Sequence, residues 1–442
     1  MEDVRAVRPG PRNAPASGGS VEAAGGTPRG GVPLAQRASS GTGSARAGGG
    51  ALAVNGYSES WLRKGFPWVY PAEVTGGAAA PGSVVRLRSA AGEVLGTAIA
   101  DDGWIAARRF RLDDGPIDAA LLRGRVERAL ALRQRVLPPD TTAWRLVHGE
   151  NDDLPGIRVD VWGAHVVVSL DSPSLVGLLD PLCDAVESVL APVVGRIGSF
   201  HLAHRPDPRE AGVRSWSRSP GLVRGTDPGE IEVRERGVRF LVVPGAGSKD
   251  VGLFPDMRDN RVWLEPHWKG RTLLNLFAHT CAFSVCAARA GASTVSVDLS
   301  PHYLERGAAN FRANGLEPQE LLAEDAFKVL DRFRRQERFF DVVLLDPPGH
   351  SHSKDGNWSG EQDYARLVAS AVRVVAPGGW LVAASNLGSV SPHKFQGMLV
   401  DGARKAGRTL QLLHDGNAAP DFPAALHFPE ARFLKFMVCV VG

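Results

Sequence analysis

The sequence predicts an α/β protein in three folded parts, the last of them a doubly wound, open parallel sheet. Three observations predict it. The segment from Leu273 to Ser300 reads as an apolar strand, a turn of small residues, a helix and a second strand ending in Asp298, the opening βαβ unit of such a sheet. Two further strand ends follow in phase, Asp325 in LLAEDAF and Asp346 in FFDVVLLDPPGHSHSK. Ahead of these, short alternating strands broken by Gly and Pro from Tyr57 to Arg111 predict a small β-barrel.

Taken in chain order, residues 1–50 form a tail rich in Gly, Ala, Ser and Pro with almost no aromatic or large aliphatic residue. It cannot bury enough to offset its ordering entropy, so disorder is expected. The net charge of +3 sits there: the tail holds six Arg and three acids, leaving 45 basic and 45 acidic residues in the remainder. Nucleic-acid binding by the folded part therefore needs a local patch rather than a global field. With 43% hydrophobic residues the chain can build several cores. It has neither a membrane-length apolar run nor a signal-peptide core, so a cytoplasmic location is expected. Cys183, Cys281, Cys286 and Cys439 lack zinc or C-x-x-C spacing and are expected as reduced thiols, with no metal site.

Residues 51–116 are the barrel. There Arg63, Lys64, Arg108 and Arg109 stand among Trp61, Phe66, Trp68, Trp104 and Phe110. That mixture suits RNA, whose phosphates need cations and whose splayed bases need stacking partners; a barrel with an aromatic core and a charged surface explains it equally. Residues 117–244 read as a mixed α/β unit without a catalytic constellation, a spacer between the barrel and residues 245–442.

The chemistry lies in that last part. Asp298 falls about 20 residues after the first turn, where a carboxylate accepts the hydroxyls of a ribose. The turn has no G-x-G-x-x-G run, which points to a nucleoside rather than a pyrophosphate. Asp325, at the next strand end, is placed for an adenine amine, and Asp346, Pro347 and Pro348 form a rigid tip, since two prolines fix the backbone. Each acid alone caps a helix more often than it binds a ligand. Three in register point to a site, and their order resembles that of a class I S-adenosylmethionine-dependent methyltransferase.

From Tyr57 to the end the chain resembles the RlmI-like family of large-subunit ribosomal RNA methyltransferases. The resemblance rests on LPPDTTAWRLVHGENDDLPGIRVD, GLFPDMRDNR, LLNLFAHTCAFSV, SVDLSPHYLERGAANFRANGL, DPPGHSHSK and FPEARFLKFMVCVV. It implies a PUA-like barrel, a mixed α/β linker domain and a Rossmann-like methyltransferase domain. It also implies S-adenosylmethionine as donor and a base of large-subunit rRNA, free or in an assembly intermediate, as acceptor. Asn275, Phe277, Thr280, Phe283, Asp298, Asp325, Ala326 and Asp346 are then the expected cofactor residues. Lys354 and Arg258 are candidates for phosphate contact or support, and a homodimer is left open.

The departures from the family pattern bear on chemistry. Cys281 stands where a Gly is usual in the first turn, Met257 where a Gln is usual, Asp250 where a Lys is frequent, and His350 at an aromatic position. Methylating carbon 5 of a pyrimidine needs a thiolate to attack carbon 6. Members that make 5-methylcytosine carry that Cys after the strand following G-G. Counting from Gly378 and Gly379 places Asn386 there. DPPGHSHSK instead resembles a branch that methylates a guanine ring nitrogen, so Asp346, Pro347, Pro348 and Asn386 are the expected catalytic group, acting by positioning. Two other readings stay open: a small-molecule methyltransferase, disfavoured by the barrel, and an RNA-binding protein whose transferase domain is inactive.

Overall fold

The computed structural model describes residues 50–205, 214–246, 251–353 and 356–442; the tail, Asp250 and Lys354 lie outside them. The N-terminal unit is a six-stranded sheet in the order Trp68–Val69, Ala107–Arg111, Val94–Ala100, Val84–Arg88, Gly50–Val54, Val74–Gly76. Leu52, Val54, Leu62, Val85, Leu87 and Ala98 fill its core. Its aromatics are a second core: Phe66, Trp68 and Tyr70 are buried with Phe428 from near the C-terminus, the Trp68 and Phe428 rings 4.8 Å apart. The expectation that Phe66 and Trp68 stack on bases is therefore corrected. Those rings fasten the barrel to the C-terminal domain.

The middle unit is a five-stranded sheet ordered Gly221–Gly225, Ser199–His204, His165–Leu170, Ile157–Trp162, Ala143–His148. One face buries Val147, Val159, Val168 and Leu202 beneath the helices Ala119–Val136 and Leu179–Val194. The side chain of Asp118 caps the first helix by accepting from the Leu121 amide, one of the amides that a helix start leaves unbonded. The other face carries Trp162, Val167 and Ala203 into a core shared with Val238, Phe240, Val285, Leu304 and Phe311. The hairpin Ile231–Glu235 and Val238–Val242 packs on the helix Pro301–Ala313, where Asn310 accepts from the Leu241 amide at 2.8 Å.

In the C-terminal domain we label the strands β1 Thr272–Leu276, β2 Ser293–Asp298, β3 Glu320–Ala323, β4 Phe340–Leu345, β5 Val375–Ser385, β6 Leu410–Gly416 and β7 Lys435–Val441. They form one seven-stranded sheet in the order 3-2-1-4-5-7-6. β1 to β5 are parallel, and β7 runs antiparallel between β5 and β6. The central strands read as continuous Val and Leu runs because helices cover both faces. All tips that carry acids lie at the carboxyl edge, and the strand order reverses between β1 and β4. That is the crevice where such sheets bind ligands.

Candidate active site

The first turn, after β1, is built in an unusual way. Phe277, His279 and Cys281 have φ of 61°, 49° and 62°, the left-handed region that glycine enters freely and other residues at a cost of about 1–2 kcal/mol each. The alternation curls the backbone so that the His279 amide donates to the Asp298 carboxylate at 2.8 Å. The Cys281 side chain does not enter the crevice. It is fully buried with Val285, Leu304 and Phe311, and Gly307 makes room for it: a Cβ on Gly307 would lie 2.5 Å from the Cys281 sulfur.

Asp298 also accepts from the Ser300 amide at 2.9 Å. Burial pushes its carboxyl above the usual range, while the Ser300, His279 and Leu299 amides hold it down. A carboxylate has about four lone-pair sites, so beyond these three amides it can still accept a hydroxyl. Asp325 caps the helix Ala326–Arg335 through the Lys328 amide at 3.1 Å. Because Asp298 pairs with Ala323 across β2 and β3, the two acids stand at neighbouring strand ends. Phe254, His279 and Tyr303 form an aromatic flank there, with centroids 5.2 and 4.3 Å apart.

The acceptor side is the tip of β4. Leu345 lies opposite Ala383 of parallel β5, so the Asp346-Pro347-Pro348 turn and exposed Asn386 emerge side by side. The Pro348 carbonyl is taken by the Trp358 indole at 2.7 Å, and Tyr364 holds the strand carbonyls of Leu345 and Ala384 at 3.4 and 2.8 Å. The carboxyl group of Asp346 has no hydrogen-bond partner among the described residues. Burial, then the charge of Asp256, push its pKa up to about 7 against the pull of Arg261. Asp256 is itself raised by burial, with Arg145, Arg261 and Arg205 opposing. Thus the tip of β4 carries a half-buried carboxyl group whose pKa is pushed up to about 7. Asp256 and Arg261 were given no role from the sequence, although both lie within the GLFPDMRDNR segment; no local pattern marks them as neighbours of Asp346.

Several expected site residues are supports instead. Asn275 is 2% exposed and donates to Ser284 at 2.9 Å, while Ser296 bonds the same hydroxyl at 2.8 Å. This network seats the helix Ala282–Arg289 on β1 and β2. Thr280 is buried and donates to the Gly252 carbonyl at 2.5 Å. Phe283 stacks on Phe436 in the core beside Met257, and Ala326 is core as well. Phe277 remains at the crevice, 5.8 Å from the Trp358 ring. Arg258, 1% exposed, pairs with fully buried Asp421 and so supports the fold.

Among the RNA candidates, Arg108 and Arg109 are corrected. Arg108 is 2% exposed and pairs with Asp101 at 3.2 Å. Arg109 donates to the Leu62, Leu95 and Phe66 carbonyls across the barrel core. Arg63 is exposed but paired with Glu59 and Glu93, and Lys64 lies over the Trp61 ring at 5.2 Å. All four thiols are held far from their reactive form, chiefly by burial: Cys183, Cys281 and Cys286 are pushed up to about 12 and Cys439 to about 11.

Residues 202–436 match the S-adenosylmethionine-dependent methyltransferase family, and residues 53–111 match a PUA-like domain. The ribosomal RNA large subunit methyltransferase I of Alteromonas mediterranea is 30% identical over 388 residues, 86% of this chain and 96% of the relative. The chain belongs to the RlmI-like family of S-adenosylmethionine-dependent methyltransferases. The relative of the same name from Vibrio cholerae is 30% identical over 88% of this chain and 98% of its own length. A putative S-adenosylmethionine-dependent methyltransferase from Streptococcus mutans shares the fold with a TM-score of 0.77 at 23% identity, covering 88% of this chain and 99% of that one. Another putative methyltransferase, solved with S-adenosylhomocysteine bound, gives 0.78 at 23% identity, covering 88% and 99%.

The crevice residues fit the family's cofactor. Asp298 keeps acceptor capacity for a ribose hydroxyl beyond its three amide bonds, and the turn from Phe277 to Cys281 has no Lys or Arg to neutralise a pyrophosphate. Asp298 and the turn backbone would hold the nucleoside, with Asp325 at its adenine end. Among the described residues no helix is long and apolar enough to cross a membrane, and no group of His, Cys, Asp or Glu could hold a metal ion.

Proposed function

We propose that the chain methylates a ring or exocyclic nitrogen of a base in large-subunit rRNA. The observation that carries this reading is the acceptor tip: Asp346, Pro347, Pro348 and Asn386 stand together, and no cysteine accompanies them. The relatives' names supply the substrate class, and the PUA-like domain suits an RNA partner better than a metabolite.

The bound cofactor supplies a methyl group on a positively charged sulfur. The residues of the chain supply position and proton handling. Asp298 fixes the ribose, and the prolines hold the Asp346 carboxylate and the adjacent backbone rigidly against the base edge. An acceptor nitrogen that takes the methyl group, leaving the donor as the neutral thioether, would have to shed its proton. Asp346, balanced near neutrality, accepts it, and Asn386 offers an amide donor and acceptor to the base edge. A nitrogen nucleophile needs no covalent intermediate, so alignment and desolvation suffice.

The test is methylation of unmodified large-subunit rRNA transcript followed by mass spectrometry of its nucleosides. Methyl on nitrogen is expected, with no stable adduct on 5-fluorocytosine RNA and with activity retained in single Cys281→Ser, Cys286→Ser and Cys439→Ser variants. Formation of 5-methylcytosine refutes the nitrogen reading.

A further inference from the structure

The middle domain was expected to be a spacer, yet one face of its sheet carries an unexplained cation. Across its strands Arg145 lies opposite Asp160, His148 opposite Arg158, Arg158 opposite Ser169 and Ser169 opposite Ala203. Side chains alternate along a strand and match across a pair. Arg145, Arg158 and Arg205 therefore share one face, the face whose Trp162 and Ala203 pack against the C-terminal domain.

Two of these arginines have their own acids. Arg145 grips Asp160 with bonds of 2.8 and 3.0 Å and lies 4.5 Å over the Phe422 ring; Arg158 pairs with Asp171. Arg205 continues the strand, its amide bonded to the Leu170 carbonyl at 2.8 Å, and it is exposed. It has no carboxylate partner among the described residues. The charges of Arg158 and Arg145 and the partial desolvation of its stem lower its pKa to about 10, with Asp171 and Asp160 opposing, so it remains charged at neutral pH. Those two acids attract it from beyond ion-pair range, so among the described residues its exposed guanidinium fork is available to an anion from outside. Close by stands Asp256, whose carboxyl feels Arg145 and Arg205 and which in turn raises Asp346. The strand Ala143–His148 packs against the turn Pro255–Met257 that carries Asp256, so the arginine face adjoins the acceptor tip.

We infer that Arg205, backed by Arg158 and Arg145, binds a backbone phosphate of the RNA strand whose base is presented to Asp346. This rests on the reading of the site as an RNA methyltransferase. A nucleotide that delivers its base to a crevice leaves its phosphates at the rim, and the guanidinium fork matches phosphate oxygens in pairs. The middle domain would then act as the clamp that aligns the strand.

The test compares wild type, Arg205→Gln, Arg205→Lys and the exposed helix variant Arg123→Gln as a control for loss of one charge. Binding of unmodified large-subunit rRNA transcript is measured across a salt series, alongside methylation and S-adenosylmethionine affinity. Arg205→Gln is expected to weaken RNA binding about tenfold or more, and to flatten the salt dependence by about one phosphate contact. Arg205→Lys should restore the salt dependence more fully than the affinity. Cofactor affinity and thermal midpoint should stay at the wild-type values, and Arg123→Gln should match wild type. Wild type that methylates RNA while Arg205→Gln binds it equally well, or no worse than Arg123→Gln, overturns the assignment alone. Wild type that neither binds nor methylates RNA overturns the underlying functional reading as well.

Discussion

The Cys281–Gly307 contact can be tested by a double-mutant cycle. The Gly307→Ala change puts a methyl 2.5 Å from the Cys281 sulfur and 3.0 Å from its Cβ. Neither can retreat easily, because Cys281 is pinned at φ 62°, its amide bonded to the Ala278 carbonyl at 2.8 Å. Overpacking of this kind costs about 1–3 kcal/mol, offset by roughly 1 kcal/mol of improved helix propensity. Gly307→Ala alone should therefore destabilise by about 0–2 kcal/mol. The Cys281→Gly change removes the obstructing side chain and relieves about 1–2 kcal/mol of left-handed strain, against the lost burial of a small apolar group. In that background Gly307→Ala should stabilise by roughly 1 kcal/mol, so the two changes couple by about 1–3 kcal/mol. Urea midpoints at constant slope measure it. Calorimetry on Cys281→Gly should show unchanged S-adenosylmethionine affinity, because the sulfur faces the helix and not the crevice. Additivity within about 0.5 kcal/mol would refute the packing argument, and a large gain in cofactor affinity would refute the stated direction of the side chain.

Other outcomes follow from the same geometry. Asp298→Ala should weaken S-adenosylmethionine by about 1.5–3 kcal/mol, read by calorimetry on folded protein; equal affinity removes Asp298 from the cofactor site. Because Asp346 must be ionised to accept a proton and its pKa is pushed to about 7, kcat/KM should rise with pH through that region. Asp256→Asn removes a neighbouring negative charge and should move the rise to lower pH; an unmoved profile dissociates the two acids. The sign for stability is opposite: a carboxyl raised on folding contributes below its unfolded pKa and loses that contribution as pH rises through the folded value. Asp346→Asn should therefore gain stability over wild type at pH above 7 and not at pH near 4, as denaturation midpoints would show. Arg109→Gln, which strands three carbonyls in the barrel core, should destabilise by about 1–3 kcal/mol while leaving the salt dependence of RNA binding unchanged; a changed salt slope would return Arg109 to the RNA surface.

The sequence by itself determined the open sheet and the places of its tips. Strand runs such as DVVLL, the spacing from the first turn to Asp298 and the D-P-P tip are local patterns, and local patterns survive in one dimension. They also carried the family. What the sequence misassigned has a common cause: burial is decided by what arrives from elsewhere in the chain. Arg108 and Arg109 read as an RNA surface until the barrel core closed over them, and Phe66 and Trp68 read as stacking partners until Phe428 covered them. Cys281 stood out only as a side chain where a Gly is usual, until Gly307, 26 residues later, opened a hole for its sulfur. Only the tertiary structure set Asp256 beside Asp346, and only the sheet register aligned Arg145, Arg158 and Arg205 on one face. Those groups precede Asp346 by 90 to 201 residues, and charges so remote in sequence acquire chemical meaning through proximity alone, since Coulomb coupling depends on distance and burial and not on order along the chain.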